Sequence, residues 1–297
     1  MSVVIEHLNK VYPGGKHALR DVSFEIPSGM FGLLGPNGAG KSTLMKILVA
    51  QLKPSDGKVT ICGYDLQTQM KEIRSILGYL PQDFRFFSKL RTYEFLDYAA
   101  CVSGISDRRQ RKEAVDAMLE QVGLFEVRER FAERLSGGMK RRLGIAQALI
   151  HKPKLIIVDE PTTGLDPEER IRFRNLLSTI SGQDVTIILS THIVGDISST
   201  CSRMALLHQG QLAFLGSPEA MLQEVEGKVW LIKATQDEFT KINETFPVIT
   251  TVPVASGWEM QIVTDDPGSF RAEPYPPNLE HAYVYFMEHK LNHWSKA

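Results

Sequence analysis

The strongest constraint on the fold is the run from Gly35 to Thr43, which reads Gly-Pro-Asn-Gly-Ala-Gly-Lys-Ser-Thr. It matches G-x-x-x-x-G-K-[ST], the pattern of a loop whose backbone N–H groups surround phosphate oxygens. The apolar run 30–34 before it predicts a buried strand, and the apolar pattern that opens at Thr43 predicts a helix. Because strand, loop and helix follow in the order that such a loop requires, we expect an α/β domain that binds a nucleotide.

Each residue type in this loop has a physical role. Glycine at positions 35, 38 and 40 allows backbone angles and close approaches that a Cβ would block. The helix that begins near Lys41 points its positive dipole end at the same place, and Lys41 can reach the outer phosphates as a point charge. The Ser42 hydroxyl is placed to bind Mg²⁺. The predicted nucleotide-binding residues of the loop are Gly35, Pro36, Asn37, Gly38, Ala39, Gly40, Lys41, Ser42 and Thr43.

The composition argues against several classes of protein. With 34 Lys and Arg against 35 Asp and Glu the net charge is −1, and this balance does not favour nucleic acid as a direct partner. Cys62, Cys101 and Cys201 are widely spaced, which favours reduced thiols in the cytoplasm over disulfides or a zinc site. The N-terminus, with Glu6, does not resemble a secretory leader, and no run of about 18 apolar residues occurs. A membrane process would therefore need another polypeptide to cross the bilayer.

Changes in the hydrophobic pattern divide the 297 residues into two expected domains. Alternating positions over 3–34 predict antiparallel strands that lead into the loop, and the segment from about 83 to 152 has a helical pattern. Continuous apolar runs at 155–160 and 185–191 predict a parallel sheet that is buried on both faces. We expect one nucleotide-binding domain over 1–224, with the helical segment inserted as a subdomain.

The remaining residues, 225–297, predict a small α+β domain. Strands are expected at 228–234 and 248–264, and the segment 267–277 is expected to be a loop. Asn278 can cap a final helix with an amphipathic pattern, whose apolar stripe is most simply its own packing face.

Two charge patterns are interpreted as solvent-exposed surface. The basic run 108–112 could contact nucleic acid, but Val115 and Leu119 follow it at helical spacing, so it is interpreted as the outer face of a helix. His289 and His293 lie four residues apart and could bind a metal, yet no third ligand is evident. We interpret them as surface histidines.

The buried run 155–158 ends in two adjacent carboxylates, Asp159 and Glu160. Ligands bind at the ends of strands in parallel sheets, and buried acids without a ligand would be costly. Side chains alternate along a strand, so the two should differ in direction and role. In a protein with this loop, Asp159 is expected to hold Mg²⁺ directly or through water, and Glu160 to lie beside the water that attacks the terminal phosphate.

A second glycine-bearing turn lies at Leu135, Ser136, Gly137, Gly138 and Met139. Ser136 is a natural cap for the helix that follows, and the exposed N–H groups of that helix could bind a second anion. Taken alone, such a turn is more often only a helix cap. Its meaning depends on the elements that accompany it.

These elements occur in the order and approximate spacing of the ATP-binding cassette (ABC) family. They are the loop 35–43, Gln82, Leu135–Gly138, Asp159 with Glu160, Gly164–Pro167 and His192. From about residue 3 to 220 the chain resembles this family, and the signature turn at 135–138 separates it from kinases and GTPases. The resemblance implies an α/β P-loop NTPase with a RecA-like core, an antiparallel β subdomain and an inserted helical subdomain, followed here by the α+β appendage. It also implies ATP and Mg²⁺ as ligands.

The resemblance implies roles for residues around the nucleotide. Tyr12 matches an aromatic residue that stacks on adenine, as an aromatic face can. Gln82 matches a glutamine that contacts Mg²⁺ and the attacking water and senses the permease, and His192 matches a histidine that bonds to the terminal phosphate. The implied catalytic residues are Glu160, His192 and Gln82, and the implied Mg²⁺ ligands are Ser42, Gln82 and Asp159.

Other residues are implied to act across a dimer. Ser136 and Gly138 match signature residues that contact the terminal phosphate of ATP held by the other subunit. Asp166 matches a loop that communicates between the two sites. The family's commonest signature has Gln where this chain has Met139, which does not imply inactivity because residues 136–138 carry the groups that face the phosphate. The implied assembly is a head-to-tail dimer with two ATP molecules at its interface, formed with itself or with a close relative.

A narrower resemblance favours an exporter. The Ser-Gly-Gly-Met signature, the run 161–167 and the appended C-terminal segment look most like ATPase subunits of exporters for drugs, lipids or polysaccharides. Such a subunit would bind a separate membrane permease and lie on the cytoplasmic face of the membrane. The alternative is a soluble ABC-type ATPase that acts on nucleic acid or ribosomes, although those proteins generally resemble paired cassettes or carry long insertions.

Overall fold

The computed structural model describes residues 2–84, 89–181 and 185–291. The chain divides into two compact units, each with its own core. The first comprises Met1–His192 and Thr200–Leu215, and the second comprises Ile193–Ser199 and Gly216–Ala297.

Two sheets and a group of helices build the first unit. Its strands are β1 (Val3–Val11), β2 (His17–Ile26), β3 (Met30–Leu34), β4 (Asp56–Ile61), β5 (Tyr64–Asp65), β6 (Leu77–Leu80), β7 (Leu155–Asp159), β8 (Thr186–Thr191), β9 (Arg203–His208) and β10 (Gln211–Gly216). Its helices are α1 (Lys41–Leu48), α2 (Met70–Ile76), α3 (Thr92–Val102), α4 (Arg108–Gln121), α5 (Gly137–Leu149) and α6 (Pro167–Ser181).

The predicted parallel sheet is confirmed. Its strand order is β10-β9-β3-β8-β7-β6, and β3 is parallel to β8 and β9, as β7 is to β6 and β8. Strands β3, β7 and β8 are buried along their whole length, as continuous apolar runs predict. The register pairs Leu34 with Thr191 and Asp159 with Ser190, which brings the carboxyl ends of these three strands to one edge. This is the edge at which such sheets bind ligands.

The predicted antiparallel strands form a second sheet with the order β2-β1-β4-β5. Val3 pairs with Ile26 on one side and with Ile61 on the other. One hydrophobic core contains side chains from this sheet, from the parallel sheet and from α1, including Ile5, Met45 and Ile157. Because α1 is held by that shared core, the loop at its N-terminus has a fixed position.

Helices α3, α4 and α5 lie in the segment where the sequence predicted helices. The basic run is exposed at Arg108 and Arg109, whereas Val115 and Leu119 of α4 are buried, so its interpretation as an outer helix face is confirmed. Helix α2 was not predicted. Among the residues that the structure describes, no helix combines the length and apolar character that a membrane crossing needs.

The second unit is a four-stranded antiparallel sheet with helices. Its elements are α7 (Val194–Ser198), α8 (Pro218–Gln223), β11 (Val229–Ala234), α9 (Gln236–Thr245), β12 (Val248–Val254), β13 (Gly257–Val263), β14 (Ala272–Pro274) and α10 (Leu279–Tyr285), which continues as a π-helical turn at Phe286–Lys290. The strand order is β12-β13-β11-β14. A compact core of Ile232, Ala234, Ile242, Met260 and Ile262 joins the sheet to α9.

The second unit differs from the sequence prediction in three places. The predicted loop 267–277 is wrong at β14, where Ile232 of β11 pairs with Ala272. Helix α9 was not predicted, although Thr235 and Glu238 form a capping box at its start. The boundary predicted at residue 224 also differs from the division of the structure, because α7 and α8 both pack against α10.

The predicted cap of the last helix is confirmed. Asn278 Oδ1 accepts a hydrogen bond from the backbone N–H of His281 (3.0 Å), and His281 Nδ1 accepts one from the N–H of Asn278 (3.0 Å). With Nδ1 as an acceptor, Nε2 carries the proton and donates to Gln261 Oε1 (3.0 Å). His281 is fully buried, and this burial lowers its pKa. The predicted histidine pair is not described, because His293 lies outside the described residues.

The buried neutral His281 predicts acid sensitivity of the second unit. Its folded-state pKa lies below that of the unfolded chain, near 6.5, so its stabilising contribution is complete above that pH and decreases as the pH falls further. Trp230 and Trp258 lie on β11 and β13 of this unit, so their fluorescence during urea denaturation reports its unfolding. We expect the urea midpoint to fall between about pH 7.5 and 5.5, and to fall less in His281→Gln. Equal pH dependence of the two proteins would contradict the role of His281.

Candidate functional site

A cavity of about 820 Å³ opens at the carboxyl edge of the parallel sheet. Residues from the loop, from the ends of β7 and β8 and from the antiparallel sheet line it: Tyr12, Lys16, His17, Ala18, Asn37, Gly38, Gly40, Lys41, Ser42, Thr43, Gln82, Glu160, Thr163 and His192. Most of the residues that the sequence predicted for the nucleotide therefore lie around one cavity.

The loop at 35–43 has the geometry that its glycines predict. Gly40 has φ 107° and immediately precedes α1. A Cβ on Gly40 would lie 2.6 Å from the carbonyl oxygen of Ala18, so both the backbone angle and the close approach require glycine. Lys41 then begins the helix, and the free N–H groups of its first turn provide a site for an anion.

Lys41 is almost completely buried, with 4 % of its surface exposed. Its Nζ donates hydrogen bonds to the carbonyl oxygens of Gly35 (2.6 Å) and Pro36 (3.2 Å) and lies 3.7 Å from Glu160 Oε1. Burial lowers the pKa of Lys41, and the nearby carboxylates of Glu160 and Asp159 oppose that shift. The amine is thus held inside the loop by groups that a phosphate oxygen could replace.

The Glu160 carboxylate is the point on which the site converges. Besides the Lys41 ammonium, it contacts His192 Nδ1, which lies 3.3 Å from Oε2. Gln82 Nε2 donates to the same oxygen at 3.2 Å, and Thr163 Oγ1 donates to it at 3.5 Å. Side chains from four different segments therefore meet at one carboxylate that is 7 % exposed.

The backbone at Glu160 aims that carboxylate. Glu160 has φ 45°, in the left-handed region that non-glycine residues rarely occupy. Its N–H donates to Ser190, to the backbone oxygen (3.1 Å) and to Oγ (3.2 Å), and Thr163 N–H donates to its carbonyl oxygen (3.4 Å). The strand ends at Asp159, and this turn directs the next side chain into the cavity.

Asp159 lies behind the cavity lining and is also buried. Ser190 Oγ donates a hydrogen bond to Asp159 Oδ1. Burial raises the pKa of Asp159, and the hydrogen bond from Ser190 opposes that shift. A carboxylate in this position gains from a nearby cation, because positive charge offsets the lost hydration.

The donor set fits Mg²⁺, the metal that the resemblance implied. Ser42 supplies a hydroxyl and Gln82 an amide oxygen at the cavity wall, while Asp159 supplies a buried carboxylate behind it. Mg²⁺ prefers such oxygen ligands and retains several waters, so Asp159 can contribute through water.

Tyr12 lies at the cavity wall, half-buried after β1. Its hydroxyl lies 3.4 Å from Thr43 Oγ1, and Lys10 Nζ lies 5.5 Å from the centre of its ring. The ring is thus anchored to the phosphate-binding loop, which is the arrangement that an aromatic platform for a base requires.

The signature residues and Asp166 lie outside this cavity. Ser136 Oγ accepts a hydrogen bond from the N–H of Met139 (3.2 Å) and so caps α5, with Leu135 before it and Gly137 as the first helical residue. Asp166 Oδ1 accepts from the N–H of Glu169 (2.8 Å) and caps α6. Within the described part of the chain, most of the residues predicted to bind the nucleotide lie around one cavity. The signature residues and Asp166 lie elsewhere.

Gly138 lies beside the Glu169 side chain of its own chain. A Cβ at Gly138 would meet the carboxylate end of the Glu169 side chain, which is flexible and can move aside. Sequence reasoning assigned this glycine only to a phosphate contact.

Sequence reasoning also missed Thr163 and Ser190. Both bear hydroxyls that contact the acidic pair, one by the side chain of Glu160 and the other by Asp159. Ser190 carried a detectable signal, since it is a polar residue near the end of a continuous apolar strand and so lies at the ligand-binding edge. Thr163 lies in a loop where no periodic pattern could have selected it.

Comparisons with known proteins identify the family of this chain. The family model described as ABC transporter matches residues 19–163. The Nod factor export ATP-binding protein I of Rhizobium sp. (strain N33) is 34 % identical over 284 residues, which cover 91 % of this chain and 92 % of that relative. The chain belongs to the ABC transporter family. ABC proteins of both transport directions are similar to it, since the methionine import ATP-binding protein MetN of Cupriavidus metallidurans is 37 % identical over 223 residues, covering 72 % of this chain and 64 % of that protein.

A solved ABC structure confirms the fold class. It is cbiO1 from Clostridium perfringens, described as part of the ABC transporter complex cbiONQ. It matches with a TM-score of 0.69 and 27 % identity, over 82 % of this chain and 94 % of that chain. The predicted α/β P-loop NTPase fold is correct, and the chain is an ABC ATP-binding subunit with ATPase activity.

The close approach of Gly40 to Ala18 predicts that nucleotide binding requires glycine at position 40. Gly40→Ala places a Cβ against Ala18 and strains a positive φ, so we expect ATP affinity to fall roughly tenfold or more. Gly63→Ala is the matched control, because Gly63 also has a positive φ (86°) but has no neighbouring atom within 4 Å of a built Cβ. Isothermal titration with ATP and Mg²⁺ measures both. Similar affinity in the two variants would show that the contact with Ala18 is unimportant.

Proposed function

We propose that this ABC protein hydrolyses ATP to drive export through a separate membrane permease. The observation that carries the proposal is the convergence of Lys41, Gln82, Thr163 and His192 on the Glu160 carboxylate beside the phosphate-binding loop. This arrangement provides a buried base and hydrogen-bonding groups at the place where the terminal phosphate of ATP would lie.

The reaction is attack of water on the terminal phosphorus of ATP, which yields ADP and phosphate. Glu160 accepts a proton from the attacking water, while Gln82 and His192 orient the water and the phosphate oxygens. When ATP binds, the Lys41 ammonium gives up its hydrogen bonds to the carbonyl oxygens of Gly35 and Pro36 and donates to phosphate oxygens instead. Mg²⁺, held by Ser42 and Gln82 and through water by Asp159, supplies positive charge to the phosphates when bound. Tyr12 stacks on the adenine.

The site is completed by a second subunit, either another copy of this chain or a close relative. In the described structure, the signature residues 135–139 and Asp166 do not line the cavity of their own chain. A head-to-tail pair would place the exposed start of α5 from one subunit against the ATP of the other. ATP would then hold the two subunits together, and its hydrolysis would release them.

Removing the proposed base should separate binding from hydrolysis. Glu160→Gln keeps the size of the side chain but cannot accept a proton, so turnover should fall about 10²- to 10⁴-fold while ATP still binds. Light scattering at saturating ATP should then show a dimer. Glu168→Gln is the control, because Glu168 is exposed on α6 and carries the same change. A strictly monomeric Glu160→Gln protein would exclude the sandwiched dimer, and normal turnover would remove Glu160 from catalysis.

Export is favoured over import by the extent of the alignments. The alignment with the Nod factor export protein covers 91 % of this chain and so extends into the second unit, whereas that with the methionine import protein covers 72 %. We place the subunit on the cytoplasmic face of the membrane, bound to the permease, with the second unit as an accessory α+β domain.

Inverted membrane vesicles can test partner and direction together. Vesicles from cells that produce the chain should accumulate members of a panel of fluorescent amphipathic compounds when ATP is added outside, and vesicles with Glu160→Gln should not. The tagged chain should also purify from these membranes with a multi-span protein. Accumulation only in right-side-out vesicles loaded with ATP would indicate import. Absence of a membrane partner would favour a cytosolic ABC ATPase.

A further inference from the structure

We propose that Arg141 is a positioning residue that connects the signature helix α5 to Glu160 through Gln82. The proposal rests on the function proposed above, in which Gln82 and Glu160 act on the attacking water. It adds a path within one subunit. The path leads from the start of α5, which would face the partner's ATP, to Glu160, the base of the same subunit.

The path begins with two backbone hydrogen bonds. Arg141 lies in the first turns of α5, three residues after Gly138 and so on the same side of the helix. One of its guanidinium nitrogens, Nη1, donates to the carbonyl oxygens of Pro81 (3.2 Å) and Gln82 (2.6 Å). A single charged group thus holds two consecutive peptide units, and hydrogen bonds from a charged donor are stronger than neutral ones.

The segment that Arg141 holds carries Gln82, whose side chain bonds to the base Glu160. Gln82 follows β6, which ends at Leu80, and its side chain is exposed. Its amide donates to Glu160 Oε2 at 3.2 Å. An exposed amide must lose conformational freedom to keep that bond, so fixing the backbone on both sides of the Gln82 Cα lowers the entropic cost. Arg141 provides that fixation from α5.

The neighbouring arginine shows that Arg141 is not needed to anchor α5. Arg142 Nη1 donates to the carbonyl oxygens of Val122 and Gly123, both at 3.1 Å, and its Nη2 lies 3.5 Å from Glu169 Oε1. These contacts bind α5 to the end of α4 and to α6. When the donors of Arg141 are removed, α5 keeps this attachment and loses its connection to Gln82.

The consequence is mechanical. A helix moves as a rigid element, so a shift of the start of α5 against the partner's ATP moves Arg141 with it. Arg141 then moves the backbone at residues 81 and 82, and the distance from the Gln82 amide to Glu160 changes. Closure of the partner's site thereby sets the geometry of hydrolysis in the subunit's own site.

The first test is steady-state ATPase activity of the purified full chain with Arg141→Met. Methionine keeps an unbranched apolar stem but removes the donors. We expect kcat to fall roughly three- to tenfold, with KM for ATP within about twofold, because the base is misplaced while the nucleotide contacts remain. Arg141→Lys, which retains one charged donor, should recover part of the loss. Arg109→Met is the control, since Arg109 is 89 % exposed on α4.

A double-mutant cycle distinguishes positioning from general damage. If Arg141 acts through Gln82, then Arg141→Met should cause little further loss of kcat in a Gln82→Ala background. The inference is overturned if the fold losses in kcat of the two single variants multiply in the double variant. It is also overturned if kcat is unchanged in Arg141→Met alone. Normal turnover in Gln82→Ala itself would instead count against the proposed function.

Amide hydrogen exchange gives a readout that does not require turnover. Arg141→Met should accelerate exchange in peptides that contain residues 80–84, and should leave the peptides of α4 near Val122 unchanged. Arg109→Met should change neither. Unchanged exchange at 80–84 would show that Arg141 does not hold this segment and would overturn the inference.

Discussion

The ion pair between Lys41 and Glu160 is the interaction on which the site depends. Its atoms lie 3.7 Å apart, and the two side chains are 4 % and 8 % exposed. Burying either charge alone would cost a large desolvation free energy. The opposite charge and several hydrogen bonds offset that cost. The pair joins the loop after β3 to the end of β7. These strands lie on either side of β8 in the sheet, and their parallel direction brings both ends to the same edge.

The electrostatics of the site favour the binding of phosphate and of a divalent cation. Burial lowers the pKa of Lys41 and raises that of Asp159, so both residues are pushed toward their neutral forms. Phosphate oxygens favour the charged form of Lys41, and a divalent cation favours that of Asp159. Magnesium and a nucleotide would thus each relieve a cost that folding imposes. Shifted pKa values of buried groups beside a cavity are typical of functional sites.

The sequence predicted those parts of the fold that depend on local patterns. Continuous apolar runs identified β7 and β8, and the loop residues identified their own place before α1. It could not predict the turn at Glu160, whose φ of 45° depends on bonds to Ser190 of another strand. The strand β14 was missed for a related reason, because three residues form a strand only where β11 offers an open edge. The loop residue Thr163 and the long side chain of Arg141 reach their partners through tertiary structure alone.

The start of α5 must satisfy two demands at once, and its neighbours show how. In the proposed dimer it must remain accessible to a second subunit, and Ser136 and Gly137 are exposed. It must also hold a fixed orientation, because otherwise part of the free energy of phosphate binding would be used to order the helix. The anchoring groups accordingly lie after the exposed turn. Arg141 and Arg142 reach in different directions, to the segment after β6 and to α4 with α6. Attachment just after the first turn gives the helix N-terminus a fixed orientation, and Ser136 Oγ satisfies the Met139 N–H within that turn.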